Sequence, residues 1–327
     1  MKSKILDKIP RGTTAFNSIV VPLSFSPAYV MVGLPLRVFK TLRMPRLKAI
    51  AEKANERWIQ KYLKGLFEDL ISKYREDGDG GRPVDNAPIW MLWWTGEDDA
   101  PELVKRCINN VRENAGQHPV HVLTRDNYSD YLEIPDAIMQ KLESGNIRLA
   151  HLSDYIRVKL LAVYGGLWLD ATIYTTQQIP EDIFSLPMFT FKGPVMESEF
   201  VSNYRWSTFG LGGWKGNVVY RFIADALEHY WTVNDYAITY LFFDSIINSA
   251  YENLPEVKRF IDAVPENNIR RNDLQKRLEE GLPAHELGTV INEDTGFYKL
   301  NWKADFPEKS PDGSPTAYAE LFGGEEE

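Results

Sequence analysis

Cysteine and histidine are scarce in this chain of 327 residues, and their scarcity excludes several kinds of site. The single cysteine, Cys107, cannot form an internal disulfide, which favours a reducing compartment. The five histidines show no HxxxH spacing and the chain contains no CxxC motif, which argues against a zinc site. Hydrophobic residues make up 44% and charged residues 25%, as in globular proteins, so disorder, collagen and a simple coiled coil are excluded.

Acidic residues are nearly absent from the first 65 positions. Thirteen Lys and Arg are opposed there only by Asp7, Glu52 and Glu56, which gives a formal charge of +10. Because the whole chain carries −9, the remainder carries −19. A strongly acidic body fits nucleic acid binding poorly, so we expect no nucleic acid partner.

The chain also lacks an uninterrupted apolar run, although residues 13–36 carry no charge. An uncharged stretch as long as 13–36 would suffice for a transmembrane helix, but Pro22, Pro27 and Pro35 are predicted to break such a helix. We expect a segment that lies in, or dips into, an anionic membrane surface. The alternative is a hydrophobic arm packed on the protein's own core or on a second subunit of a homodimer. Cations follow the segment at helical spacing: Arg37, Lys40, Arg43, Arg46 and Lys48.

Two units are predicted, a helical N-terminal region at 1–75 and a larger domain at 86–327. The polar, glycine-rich stretch 76–86 separates them. In the larger unit strand and helix patterns alternate, which predicts an α/β domain with a mainly parallel sheet. In such sheets ligands bind beyond the carboxyl ends of the strands. The predicted strands are 89–94, 121–124 and 167–174, and the predicted helices are 47–75, 101–114, 135–144 and 152–164.

The residues with most chemical potential lie in 146–174. Ser153 is predicted to cap a helix that Gly165 ends. Asp154 and Arg157 are three residues apart and share a face of its first turn, and Asp170 lies near the end of the next strand. These three side chains could gather around a polar, phosphorylated ligand. A structural ion pair and a turn residue are the simpler alternatives.

This run resembles the sugar-binding and DXD region of a GT-A glycosyltransferase family. That family contains bacterial capsular polysaccharide synthesis transferases and, more distantly, fungal mannosyltransferases and clostridial glucosylating toxins. The resemblance rests on S-D-x-x-R at 153–157 and Y-G-G-x-W-x-D-A-T at 164–172, with further matches at 89–96 and 297–303. It covers roughly residues 87–303 and implies a Rossmann-like, nucleotide-sugar-binding fold.

The resemblance also implies roles for individual residues. Trp94, followed by Thr95, would stack on the donor's base, with a core tryptophan as the alternative. Asp154 and Arg157 would bind the donor sugar, and Asp170 would touch both the ribose and a divalent cation, Mn²⁺ or Mg²⁺. The other residues implied at the donor and cation sites are Trp168, Thr172, Tyr298, Lys299, Asn301 and Trp302.

One feature of the sequence qualifies the roles at the cation site. Thr172 replaces the second DXD carboxylate with a neutral hydroxyl, so weak metal binding is expected, and the diphosphate or basic side chains could supply the missing charge.

On the acceptor side, Asp235 is the stronger candidate for a catalytic or sugar contact and Asp244 the weaker. Helix capping is the alternative for both.

We therefore expect a retaining glycosyltransferase that moves a sugar from a nucleoside diphosphate sugar, most simply UDP-linked, to a polysaccharide-repeat or lipid-linked acceptor. Capsule or exopolysaccharide synthesis in a bacterium is the expected setting, on the inner face of the cytoplasmic membrane. One alternative is a catalytically silent, membrane-bound scaffold of a polysaccharide assembly complex. Another is a sugar-nucleotide hydrolase or sugar-phosphate transferase.

Overall fold

A computed structural model describes residues 19–198 and 200–323. The first group of predicted membrane-binding cations and the beginning of the uncharged stretch, up to residue 18, lie outside these residues. So does the acidic C-terminal tail.

From residue 19 onward, the N-terminal region contains four helices: α1 (Val21–Phe25), α2 (Pro27–Thr41), α3 (Pro45–Leu66) and α4 (Glu68–Asp77). Pro22 and Pro27 stand at helix starts, where the missing amide removes no intrahelical hydrogen bond. Pro35 lies inside α2 and does not end it, so that part of the proline prediction is wrong. The predicted helix 47–75 is divided at Phe67. Within the described ranges, no helix is both long enough and apolar enough to cross a membrane.

The body is built around a five-stranded sheet with the order β2-β1-β3-β6-β5, and a two-stranded sheet of β4 and β7 lies beside it. β1 pairs in parallel with β2 and β3, whereas β6 is antiparallel to β3 and β5. Four of the five strands therefore share one direction, which confirms the mostly parallel α/β prediction. The strands are β1 (Ile89–Leu92), β2 (Val120–Leu123), β3 (Gly166–Leu169), β4 (Ile173–Thr175), β5 (Met188–Thr190), β6 (Gly210–Gly213) and β7 (Phe297–Lys299).

Helices cover the sheet and form much of the C-terminal half, with short 3-10 turns at Tyr128–Asp130 and Ala284–Thr289. They are α5 (Glu102–Asn114), α6 (Asp136–Glu143), α7 (Leu149–Tyr164), α8 (Asp182–Ser185), α9 (Val218–Val233), α10 (Phe242–Asn253), α11 (Pro255–Ala263), α12 (Asp273–Glu279) and α13 (Ala317–Phe322).

Helix α7 carries Asp154 and Arg157, and its ends are built differently from one another. It ends at Gly165, as predicted, and Gly166 follows with φ 98°. A Cβ on Gly166 would lie 2.0 Å from the Pro88 carbonyl oxygen, so only glycine fits there. The start differs from the prediction, because Arg148 is the cap and Ser153 lies inside the helix. The Arg148 amide donates to His151 Nδ1 (3.1 Å), which satisfies one of the free amides of the first turn.

The predicted strand 167–174 is two strands separated by a turn. The Ile173 amide donates to the Asp170 carbonyl (2.9 Å), and the Asp170 amide donates to the Phe209 carbonyl (3.0 Å). After this turn β4 leaves the main sheet and pairs antiparallel with β7, which places Ile173 opposite Lys299. The turn therefore joins the end of β3 to a segment more than 120 residues later in the chain.

The N-terminal helices share a hydrophobic core with the body. Ile59 and Leu63 are buried in the same cluster as residues of α7, α9 and α10. Tyr29 of α2 stacks on Trp58 (4.3 Å between ring centroids), and its hydroxyl donates to the Ile238 carbonyl (2.9 Å). For this part of the arm, packing on the protein's own core is the alternative that the structure confirms. The division into units at 1–75 and 86–327 stays a prediction.

Candidate active site

Three of the segments singled out in the sequence meet at the carboxyl edge of the main sheet. β1 and β3 are parallel neighbours, so the residues that follow them, 93–95 and 170–172, lie at the same edge. Trp302, three residues beyond β7, contacts Trp93 with its ring edge-on (5.7 Å between centroids). Edges of this kind are where open α/β sheets bind their ligands.

Asp170 is the centre of the polar cluster at this edge. Its Oδ1 accepts hydrogen bonds from Trp168 Nε1 (3.0 Å) and Arg157 Nη2 (3.2 Å), and its Oδ2 accepts one from Lys299 Nζ (2.9 Å). Burial alone would raise the pKa of Asp170, but Lys299 and Arg157 outweigh it and hold the pKa below its usual value. Asp170 is therefore ionised at neutral pH.

Arg157 is buried beneath the cluster and has hydrogen-bonding capacity left over. Its Nη1 lies 3.4 Å from Asp154 Oδ1, and its guanidinium lies against the rings of Trp168 (5.0 Å) and Phe243 (5.4 Å). Nε and Nη1 have no hydrogen-bond acceptor among the described residues. Because a buried donor without an acceptor is costly, these atoms favour a ligand that brings oxygens.

Asp154 differs from Asp170 although both face Arg157. The pKa of Asp154 is raised to about 7: burial is the largest cause, Arg157 opposes it, and Asp244 and Asp170 add to it. Near neutral pH this carboxyl exists in both forms, so it can donate a hydrogen bond to a ligand hydroxyl or accept one. Two carboxyls of different charge thus lie on either side of one guanidinium.

The two acceptor-side candidates lie in different places. Asp244 accepts a hydrogen bond from Trp206 Nε1 (2.9 Å), burial raises its pKa, and it is close enough to act on Asp154 and Arg157. Asp235 is exposed and pairs with Lys141 of α6 (3.3 Å). Sequence reasoning ranked Asp235 first, but Asp244 is the one that the fold brings to the cluster.

The residues expected to hold a divalent cation do not fit one. The ammonium of Lys299 takes the position between the two ends of the D-A-T turn, donating to Thr172 Oγ1 (2.7 Å) as well as to Asp170. Asn301 Oδ1 accepts instead from the Lys303 amide (3.1 Å), and the buried Tyr298 donates its hydroxyl to the Val290 carbonyl (3.2 Å). Asp170 is then the only anionic ligand in the expected set, whereas hard cations prefer several. The part of the chain that the structure describes contains no cluster of three or more His, Cys, Asp or Glu suited to a metal.

The tryptophans after β1 also differ from the expectation. Trp94 stacks on Tyr128 (5.5 Å, 24° between planes), so one face of its ring is already covered, and Thr95 is exposed. Trp93 contacts Trp302, and its indole Nε1 has no acceptor among the described residues. Sequence reasoning missed Trp93. Successive residues of an extended strand point to opposite sides, so the Trp-Trp pair itself offered two candidates rather than one.

Comparison with known proteins identifies the family. Residues 40–321 match the profile of the family described as "Capsular polysaccharide synthesis protein", so the chain belongs to that family. The match includes α3 and α4 as well as the α/β body, and therefore crosses the predicted boundary at 76–86.

Two curated fungal proteins are similar over shorter stretches. "O-glycosyltransferase braB" of Annulohypoxylon truncatum is 32% identical over 104 residues, which is 29% of this chain and 24% of that protein. "O-glycosyltransferase PaGT" of Phomopsis amygdali is 23% identical over 169 residues, 46% of this chain and 40% of that protein. The chain thus spans a quarter to two fifths of these relatives. A solved structure, "PaToxG Glycosyltransferase", is 13% identical with a TM-score of 0.38, covering 69% of this chain and 93% of its own.

Proposed function

We propose that the protein is a glycosyltransferase of GT-A type that uses a nucleoside diphosphate sugar, most simply a UDP-sugar, as donor. The observation that carries the proposal is the group formed by Asp154, Arg157, Asp170 and Lys299 at the carboxyl edge of β1 and β3. Membership of the capsular polysaccharide synthesis family and the glycosyltransferase names of the curated relatives support it.

The four charges suit the two halves of such a donor. Arg157 and Lys299 supply positive charge for the diphosphate, and Arg157 has donors to spare. Asp154 and Asp170 can accept hydrogen bonds from sugar or ribose hydroxyls. When the bond between the sugar's anomeric carbon and the phosphate oxygen breaks, its electron pair stays on the diphosphate. Fixed cations beside that oxygen lower the barrier, because they need no reorganisation as charge develops.

In this proposal, Lys299 supplies the positive charge that a metal ion would otherwise provide. It is oriented by two hydrogen bonds, to Asp170 and Thr172, and its backbone is fixed in β7 by the pairing with β4. A phosphate oxygen can then bind an ammonium that is already in place. We further propose that the sugar is transferred with retention, as the family resemblance implies.

Attachment to an anionic membrane surface is the second part of the proposal, with a lipid-linked or polysaccharide-repeat acceptor on the cytoplasmic side. In α2 and the start of α3, large apolar side chains are exposed, among them Met31 (67%), Leu42 (61%) and Ile50 (65%). Lys40, Arg43 and Arg46 are exposed in the same stretch. Exposed apolar groups and cations together are the two signals that stable peripheral attachment needs.

The donor part is tested by thermal unfolding of the full chain with UDP, GDP and their common sugar conjugates, each with EDTA and with Mn²⁺. A ligand that binds only the folded state raises the unfolding temperature. We expect a UDP-sugar to do so in EDTA and to be consumed faster when an acceptor is added. If no nucleotide or nucleotide sugar changes the unfolding temperature in either condition, the protein is a scaffold. If water alone accepts the sugar, it is a hydrolase.

A further inference from the structure

A cavity of about 1070 Å³ lies between the N-terminal helices and the body. It does not include Asp154, Arg157, Asp170 or Lys299, which we call the donor cluster. Its walls come from α3, from α10 and from the loop around residues 197–205. This volume is slightly above the range of about 300–1,000 Å³ typical of small-molecule sites, so the cavity is large enough for more than one sugar ring. We call it the α3–α10 cleft.

The chemistry of the α3–α10 cleft suits a ligand rich in hydroxyl groups. The cleft-lining residues that support this are Asn55, Glu56, Phe200, Arg205, Ser245 and Asn248, which supply amides, a carboxyl, a hydroxyl, a guanidinium and one aromatic ring. Phe200 is 42% exposed, so its ring is accessible for contact with the apolar face of a sugar. The cleft is also lined by Glu52, Lys53, Arg57, Glu197 and Glu252, so carboxyls and cations nearly balance.

One polar group in the cleft is already desolvated and has no partner. Ser245 is 1% exposed, and its Oγ makes no hydrogen bond with any described residue. Next to it, Gln60 Nε2 donates to Glu56 Oε1 (2.7 Å) and to the Ser245 carbonyl (3.1 Å), which ties α3 to α10. The wall is therefore held in place, and the Ser245 hydroxyl has hydrogen-bonding capacity left over.

The α3–α10 cleft and the donor cluster share helix α10. Ser245 of this helix lines the cleft. Two residues earlier, the ring of Phe243 lies against the guanidinium of Arg157 in the donor cluster (5.4 Å). A sugar chain bound in the cleft would therefore extend along α10 toward the donor cluster.

We propose that the α3–α10 cleft is the acceptor site and that it takes a glycan of several sugar units, with α3 as one of its walls. This rests on the proposed glycosyltransferase function and adds to it a binding surface for the acceptor. It also gives the N-terminal helices a second role, because the same hairpin whose outer face is proposed to meet lipid would line the acceptor site on its inner face.

The test uses four free trisaccharides, cellotriose, maltotriose, chitotriose and mannotriose, which lack an apolar tail and so do not report membrane binding. Saturation-transfer NMR on the full chain measures their binding in the presence of UDP. The test variants are Glu56→Ala and Phe200→Ala. The matched control is Glu68→Ala, an exposed glutamate at the start of α4 that does not line the cleft.

We expect at least one trisaccharide to bind, with Kd raised at least about 10-fold in both test variants and unchanged in the control. Stabilisation by UDP should be the same in all four proteins, which shows that the variants are folded. The proposal is overturned if no trisaccharide binds a protein that does bind UDP, or if binding is the same in variants and wild type. If UDP itself fails to bind, the proposed function fails first, so the two failures are distinguishable.

Discussion

Positive charge is used in opposite ways at the two ends of this molecule. Around the connection between α2 and α3, Lys40, Arg43 and Arg46 are exposed beside exposed apolar side chains. At the edge of the sheet, Arg157 is buried and faces two carboxyls, and Lys299 is fixed between Asp170 and Thr172. Exposed charges act through a field that salt screens, whereas fixed, desolvated charges set the position of a ligand. The comparison predicts that changes at the two ends should affect different measurements.

The largest expected effect is that of Asp170→Asn on turnover. The amide keeps the size of the side chain but removes the charge that orients Arg157 and Lys299. We expect sugar transfer to fall by about 10²–10³-fold or more, the scale of losing a preorganised electrostatic group. The fold should be retained, as judged by circular dichroism. Asp235→Asn is the matched control and should leave transfer near wild type. Near wild-type turnover in Asp170→Asn would remove this residue from the mechanism.

Next in size is the loss of the exposed cations. Replacing Lys40, Arg43 and Arg46 together by Ala should weaken binding to vesicles of mixed phosphatidylserine and phosphatidylcholine by about 3 kcal/mol, at about 1 kcal/mol for each charge. Donor-induced stabilisation should not change. Salt should loosen the wild type only partly, because screening does not affect the apolar contact. If the wild type does not sediment with such vesicles at low salt, the exposed face has another function.

A smaller effect separates the two tryptophans after β1. If Trp93 forms the base platform together with Trp302, Trp93→Ala should weaken UDP binding by about 1–3 kcal/mol. Trp94→Ala should weaken it less, since Tyr128 already covers one face of that ring. Titration calorimetry with UDP measures both variants. The reverse order of effects would restore Trp94 as the stacking residue.

The last expected effect is on stability as pH changes, and it does not involve a ligand. The pKa of Asp154 is about 7 in the folded protein, against 3.8 as its ordinary value. Between these values the folded state binds more protons than the unfolded chain, so this carboxyl makes the protein less stable as pH rises from 4 to 7. The Asp154→Asn variant has no carboxyl at this position, so it does not show this loss of stability with rising pH. We expect the free energy of unfolding of the variant, relative to wild type, to increase by up to about 3 kcal/mol over this range. A constant difference would show that Asp154 titrates normally.

The parts of the fold that were predictable from the sequence are those set by local patterns. The strands at β1 and β2 and the helices at α5 and α7 follow from hydrophobic periodicity and from the end of α7 at Gly165. The pairing of Asp170 with Arg157 was foreseeable because α7 and β3 are joined directly by the Gly165–Gly166 turn. The start of α7 could not be predicted, because the side chain of Arg148 is not typical of a helix cap.

The parts that could not be predicted depend on contacts distant in sequence. Lys299 meets Asp170 only because β7 pairs with β4, and no local pattern gives that register. Residue type alone could not decide between Asp235 and Asp244, and only the packing of α10 separates them. The α3–α10 cleft likewise depends on how α3 docks on the body. Residue types could suggest the donor site, but tertiary contacts were needed to show which cation it contains.

The most direct test of the account is calorimetric titration of UDP into wild type and Lys299→Met, each in EDTA and in Mn²⁺. If Lys299 is the fixed cation for the diphosphate, wild type binds UDP equally well in both conditions. Lys299→Met should then bind at least about 10-fold more weakly in EDTA, the scale of a charge-assisted hydrogen bond. The account is contradicted if wild type binds UDP only with Mn²⁺ and Lys299→Met binds as well as wild type.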